Sequence, residues 1–253
     1  MHNHSNITTE KIINSKKRIQ NHGEVFTPKR IINEMLDLPN IREACQNITS
    51  TFLEPAAGEG AFLVEILNRK MKMVIKNYGD DITRFENHSL LALSTLYGVE
   101  LLEDNAQKCV MNMYQVYFET YQTQAMENNA KIKNKVLDSA KLIISKNIAQ
   151  GNFLTKQSAN NTPIVFSEWK PIRLRKNSKT IKVQRTEYTI DDILNGTTKE
   201  RGEFSTHSFR EEQLDIFDFL DNEDNINKKM KKLKYVPVQI TEVYKEEMEE
   251  IDG

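Results

Sequence analysis

The sequence predicts an α/β protein organised on a doubly wound, mostly parallel sheet. Short apolar stretches of strand character recur at "TFLEP", "LYGVELL" and "KLIISKNIAQGNFL". Segments of helical periodicity separate them, and parallel neighbours require such crossovers. The first strand also enters its helix through a turn holding Gly58 and Gly60, in a 253-residue chain with only nine glycines.

Residues 1–21 are polar and basic, with Lys11, Lys16, Lys17 and Arg18, the composition of a flexible N-terminal arm. Residues 22–171 read as one domain. In it Thr27 suits a helix N-cap and Pro28 the first helical position, while Ile31, Ile32, Met35, Leu36 and Leu38 make an apolar face. "TFLEP" is a short buried strand, and the helix after the glycine turn runs from about Ala61 to Lys76 with Phe62, Ile66 and Met73 on one face. "LYGVELL" supplies the second strand and "DNAQKCVMNMYQVYFETYQ" a long helix; "KLIISKNIAQGNFL" holds the third strand and its exit loop. "TPIVFSEW" reads as a fourth strand. After Pro171 the pattern changes, so residues 172–253 form a charged C-terminal extension, basic, then acidic at "REEQLDIFDFLDNED", then basic again at "KKMKKLK".

Composition narrows the function classes. A hydrophobic content of 38% supports a real core, and a net charge of -1 leaves any charged partner to local patches. Cys45 and Cys109 lie far apart and outside any Cys/His cluster, which argues against a zinc site or a disulfide framework. The N-terminus lacks the apolar core of a signal peptide, and no apolar run approaches the ~18 residues of a membrane span. A soluble, cytoplasmic protein is the expectation.

A glycine turn between a buried strand and a helix lets backbone approach a ligand beside unpaired N–H groups. Leu63 stands where a dinucleotide-binding turn has its third glycine, and the Gly-Lys-Ser/Thr of a phosphate loop is absent. Glu54, at the end of the strand, would repel a pyrophosphate but attract the ammonium and sulfonium charges of S-adenosylmethionine. Glu100 ends the next strand, where a carboxylate can accept both hydroxyls of a ribose. The same residues also suit a plain turn and a solvated acid.

"GEVFTP" at 23–28, "LEPAAGEGAF" at 53–62, "YGVELL" at 97–102 and "QGNFL" at 150–154 resemble, in order, the cofactor-side motifs of N6-adenine DNA methyltransferases of restriction-modification systems. The resemblance covers residues 22–171 and implies an S-adenosylmethionine-binding, modification-subunit-like protein acting on DNA. It implies that Thr27 and Pro28 meet the methionine end of the cofactor. Glu54, Ala56, Gly58 and Gly60 would surround the methionine and sulfonium, Glu100 the ribose, Asn152 the adenine amino group, and Phe153 the adenine ring.

Members of that family carry Asn/Asp-Pro-Pro-Tyr/Phe after the fourth strand, to accept the hydrogens of the target amine and stack on the flipped base. This chain has six prolines and no Pro-Pro pair. "FSEWKP" stands there instead, with Glu168 a candidate acceptor and Trp169 a candidate platform, or alternatively a buried residue at the domain boundary. The fold is therefore expected to be incomplete relative to the family. A second methyltransferase or specificity subunit would complete it; alternatively the chain is an inactive adaptor that binds DNA or the bacterial sliding clamp.

Two later segments suggest partners. Lys170, Arg173, Arg175, Lys176, Lys179, Lys182 and Arg185 alternate with apolar residues as in a hairpin, and suit contacts to DNA phosphates or a lysine-protected sheet edge. "QLDIF" resembles a clamp-binding peptide through Gln213, Leu214 and Phe217; an amphipathic turn is the alternative. The tail "KEEMEEIDG" reads as a solvating end.

Overall fold

The computed structural model describes residues 27–175, 178–204 and 232–251. Helix α1 (Lys29–Leu36) starts one residue later than expected, because Pro28 is extended (ψ 143°) and itself forms the N-cap; no side chain caps the helix. The Pro28 carbonyl accepts from the N–H groups of Ile31 and Ile32. Ile32 and Leu36, four residues apart, are the buried pair, while Met35 and Leu38 are exposed. After α2 (Pro39–Cys45) comes strand β1 (Phe52–Glu54), then the glycine turn and α3 (Ala61–Tyr78).

The buried stripe of α3 is Leu63, Ile66, Leu67, Lys70, Met71 and Val74; Phe62 and Met73, expected on that face, sit at its margins. Lys70 is fully buried because its Nζ donates to the carbonyls of Asn47 and Ser50, each at 2.8 Å, which ties down the loop before β1. Burial lowers its pKa to about 8.

Helix α4 (Ile82–Leu93), N-capped by Asp81, is buried on every side from Phe85 to Leu93. It leads to β2 (Leu96–Glu100), α5 (Glu103–Glu127), α6 (Asn134–Asn147) and β3 (Ile148–Asn152). The "KLIISKN" part of the expected third strand is thus the end of a helix. Its Val136, Ala140, Ile143 and Ile144 recur at helical spacing and are buried.

The first sheet has the order β1-β2-β3-β4, with β4 at Gln157–Ser158. β1, β2 and β3 are parallel, with Phe52 opposite Leu96 and Glu100 opposite Gln150, and β4 is antiparallel to β3. Leu63, Leu67, Phe85, Leu96, Met113, Tyr117, Ile143 and Ile148 belong to one large core joining the helices and this sheet.

"TPIVFSEW" does form a strand, β5 (Val165–Pro171), but not a fourth parallel one. It pairs antiparallel with β6 (Lys182–Thr189) from Val165 opposite Thr189 to Pro171 opposite Val183, and β6 continues to β8 (Val238–Gln239). The reason is local: no helix separates β3 from β5, so the crossover that a parallel neighbour needs is missing. This hairpin straddles residue 172, and Trp169, Ile181, Val183, Ile240 and Val243 share the core of the first sheet.

A short helix α7 (Ile190–Leu194) follows β6, capped by the reciprocal Thr189–Asp192 pair. β7 (Lys232–Tyr235) pairs with β9 (Met248–Ile251), and a 3-10 helix (Ile240–Lys245) packs on α6. The acidic tail thus enters a strand instead of trailing in solvent; Glu249 lies opposite Lys234 and pairs with it at 3.1 Å. No helix among the described residues is long and apolar enough to cross a membrane.

Candidate functional site at the carboxyl ends of the parallel strands

Parallel register brings Glu54, Glu100 and Asn152 to the carboxyl ends of β1, β2 and β3, the end at which open α/β sheets seat ligands. Gly58 (φ +54°) and Gly60 (φ +87°) both adopt the left-handed conformation, which favours glycine. They are needed for different reasons. A β-carbon on Gly60 would lie 2.7 Å from the Cys109 Sγ, so that glycine admits α5, whereas a β-carbon on Gly58 would meet nothing within 4 Å. Gly58 therefore presents bare backbone to open space.

Glu100 is only 7% exposed. Its Oε2 accepts from the Gly58 N–H at 2.7 Å and its Oε1 from the Leu102 N–H at 3.0 Å. It holds the turn and terminates β2, a role that its expected ribose contact did not include. A carboxylate has about four acceptor positions, so these two bonds leave acceptor capacity for a further ligand.

Glu54 accepts from the Ala56 N–H at 3.2 Å. Burial pushes its carboxyl above the usual range, with the Ala56 N–H opposing. Both acids act on the buried Cys109 thiol, which desolvation, then Glu100, then Glu54, push up to about 12. Their fields therefore converge on the turn. Among the described residues neither carboxylate forms an ion pair.

Of the other expected cofactor contacts, Asn152 closes a turn, its Oδ1 accepting from the N–H groups of Leu154 at 2.9 Å and Thr155 at 3.3 Å. Phe153 is half-buried against the small cluster of Val99, Ile164, Phe166 and Ile190. Thr27 and Pro28 stand at the head of α1. That helix is fixed to α3 by Arg69, which donates to the Leu36 carbonyl at 2.9 Å and to Asn33 Oδ1 at 3.0 Å. Ala56 is exposed within the turn.

The expected catalytic and DNA-facing residues divide. Trp169 is 4% exposed, its Nε1 donating to Asn147 Oδ1 at 3.1 Å, so it is a core residue and offers no platform to a flipped base. Glu168, on the opposite face of β5, is half-buried. Lys170, Arg173, Arg175, Lys179 and Lys182 are exposed, Lys179 pairing with Asp81 at 3.0 Å. Arg185 is not among them. It is 4% exposed, donates to Ser167 and Glu187, pairs with Glu246 and lies over the Trp169 and Tyr235 rings. Strand alternation turns it inward. Lys176, Gln213, Leu214 and Phe217 lie outside the described residues.

The sequence reading missed the residues of α5 that close on the turn. Lys108 Nζ reaches Glu59 Oε1 at 2.7 Å and Asn112 Nδ2 donates to the Glu59 carbonyl at 2.9 Å. Only the i, i+4 spacing of Lys108 and Asn112 hinted at a shared face, because their partner is about fifty residues away. No group of acids, His or Cys suited to a metal occurs among the described residues.

Fold and site together define an α/β protein that gathers acids and bare backbone at the ends of parallel strands. The family is then specific: the model for N-6 DNA methylase matches residues 10–147, more than half of the chain, and the chain belongs to that family. It is an N6-adenine DNA methyltransferase-like protein, and by family a DNA methyltransferase. The matched region takes in β1, the glycine turn, β2 and the helices up to β3, and leaves out the antiparallel sheet. No curated protein and no solved structure matches it.

Proposed function

We propose that the chain binds S-adenosylmethionine at this edge and serves adenine-specific DNA methylation as a modification-subunit-like component of a restriction-modification system. The observation that carries the reading is the pair of acids, Glu54 and Glu100, that have no ion-pair partner among the described residues and flank the open backbone of Gly58. The group fits these residues: the acids suit its positive charges, and Gly58 leaves room for close approach. Bound there, it supplies an electrophilic methyl group. The protein contributes position and electrostatics, with Glu54 and Glu100 orienting the donor and the exposed Lys170, Arg173, Arg175 and Lys182 contacting phosphates.

The reading includes a partner chain. No Asn-Pro-Pro sequence is present, and Trp169 is committed to the core. β1 pairs on one side only among the described residues, and its Leu53 is exposed, so among them the sheet ends at the strand that carries Glu54. On this view residues 22–171 are the cofactor-side part of a doubly wound sheet and 172–253 an extension of it.

Calorimetry and methyl-label transfer test the proposal. S-adenosylmethionine should bind the wild-type chain, and Gly58→Val should abolish binding by placing a branched side chain in the open approach. Unchanged affinity in the variant would remove the pocket assignment. Label on adenine with the chain alone or with products of adjacent genes supports the enzyme. Cofactor binding without transfer under any pairing supports the second reading, a DNA-bound adaptor, which the missing Pro-Pro pair favours.

A further inference from the structure

The glycine turn is gripped from two directions. On one side Ala57 N–H donates to the Val99 carbonyl at 2.9 Å and Gly58 N–H to Glu100 at 2.7 Å, both on β2. On the other side α5 supplies three residues within about one helical turn. Cys109 lies against Gly60, and Lys108 and Asn112 hold the side chain and the carbonyl of Glu59. The turn's own backbone contribution is one bond, from Gly60 N–H to the Ala57 carbonyl at 2.8 Å, beside the Ala56 N–H bond to Glu54.

We infer that Lys108 and Asn112 are positioning residues for ligand binding, acting through Glu59 on the glycine turn. The inference rests on the cofactor reading above. Glycines in left-handed conformations lose more freedom on ordering than other residues, and a ligand that must order them binds more weakly. Asn112 fixes the peptide between Glu59 and Gly60, and Lys108 fixes the side chain of the same residue. Together they keep the bare Gly58 backbone presented before any ligand arrives.

A purely electrostatic role for Lys108 makes the opposite prediction. Removing its charge would leave Glu59 uncompensated and favour the sulfonium of S-adenosylmethionine over the neutral sulfur of S-adenosylhomocysteine. Loss of positioning weakens both ligands by the same factor. A merely structural role would change stability and leave the affinity of the folded protein alone.

The full chain is therefore titrated calorimetrically with each of the two ligands, as wild type, Asn112→Ala, Lys108→Ala/Asn112→Ala and Lys108→Arg, with thermal melts alongside. We expect the double variant to lose about tenfold in affinity for both ligands while remaining folded. Asn112→Ala alone should lose less, and Lys108→Arg should stay near wild type. Equal affinity in the wild type and the folded double variant, or a loss confined to one ligand, overturns the inference. If Asn112→Ala alone folds, it decides the matter where the double variant does not. A wild-type chain that binds neither ligand removes the cofactor reading itself, a result distinct from a wild type that binds and variants that bind equally.

Discussion

In the parallel sheet, Glu54 and Glu100 stand at strand ends with backbone N–H groups as their partners, whereas beside the antiparallel sheet Glu187 and Glu246 are both paired with the Arg185 guanidinium. Tyr235 adds its hydroxyl to Glu187 at 2.9 Å and its ring to the Arg185 guanidinium. Both regions bury charge. The difference lies in what the charge is left able to do. A buried acid with a cation is finished, while a buried acid held only by amides keeps its field and part of its acceptor capacity. The first arrangement builds structure, and on the proposed reading the second is what a cationic ligand would use.

The largest effect should come from breaking the closed set. Arg185→Ala removes the guanidinium that pairs with buried Glu187, and loss of one partner of a buried pair costs about 3–5 kcal/mol. Denaturant unfolding should show a loss of that order, with DNA affinity of the folded fraction unchanged. A variant of native stability that binds DNA less well would return Arg185 to the phosphate-contacting group that the basic run of residues 170–185 had suggested.

A smaller loss is expected at the wall between the two sheets. Trp169→Phe keeps an aromatic ring beneath Arg185 but leaves the buried Asn147 Oδ1 without its donor, at a cost of about 1–3 kcal/mol by denaturation. As the only tryptophan in the sequence, Trp169 also reports its own surroundings. Its fluorescence should not respond to single-stranded DNA rich in adenine, and quenching by such DNA would restore the base-platform role.

What the sequence revealed follows the range of the interactions involved. The strand–turn–helix at residues 52–78 was legible because its signals are local: an apolar run, two glycines, then a helical apolar face. The strand-end acids were legible too, although not that Glu100 spends two lone pairs on Gly58 and Leu102. Helix α4 was not seen, since burial on every side, polar residues included, erases an amphipathic pattern. Arg185 and Lys70 were misread or missed for a related reason. A long charged side chain reads as surface unless its partners are known; Glu187 apart, those of Arg185 lie 18 and 61 positions away, and those of Lys70 lie 20 and 23.

The comparison sharpens most at Glu54, through pH. Burial raises its carboxyl pKa above the ordinary value, so it takes up its proton at a higher pH than an exposed glutamate does. For stability the sign is that of an acid more easily protonated when folded: this group favours folding as the pH falls through its raised pKa and disfavours it above. For a positively charged ligand the sign reverses. Affinity for S-adenosylmethionine should be full where Glu54 is ionised and should fall as the pH drops through the raised pKa. Glu54→Gln, similar in shape and without charge, should bind about tenfold more weakly near neutral pH and lose that pH dependence. Calorimetry of both proteins from neutral pH into the acid range measures each slope. Parallel curves for wild type and variant would mean that Glu54 only shapes the turn, and the contrast between open and closed charge would then rest on Glu100 alone.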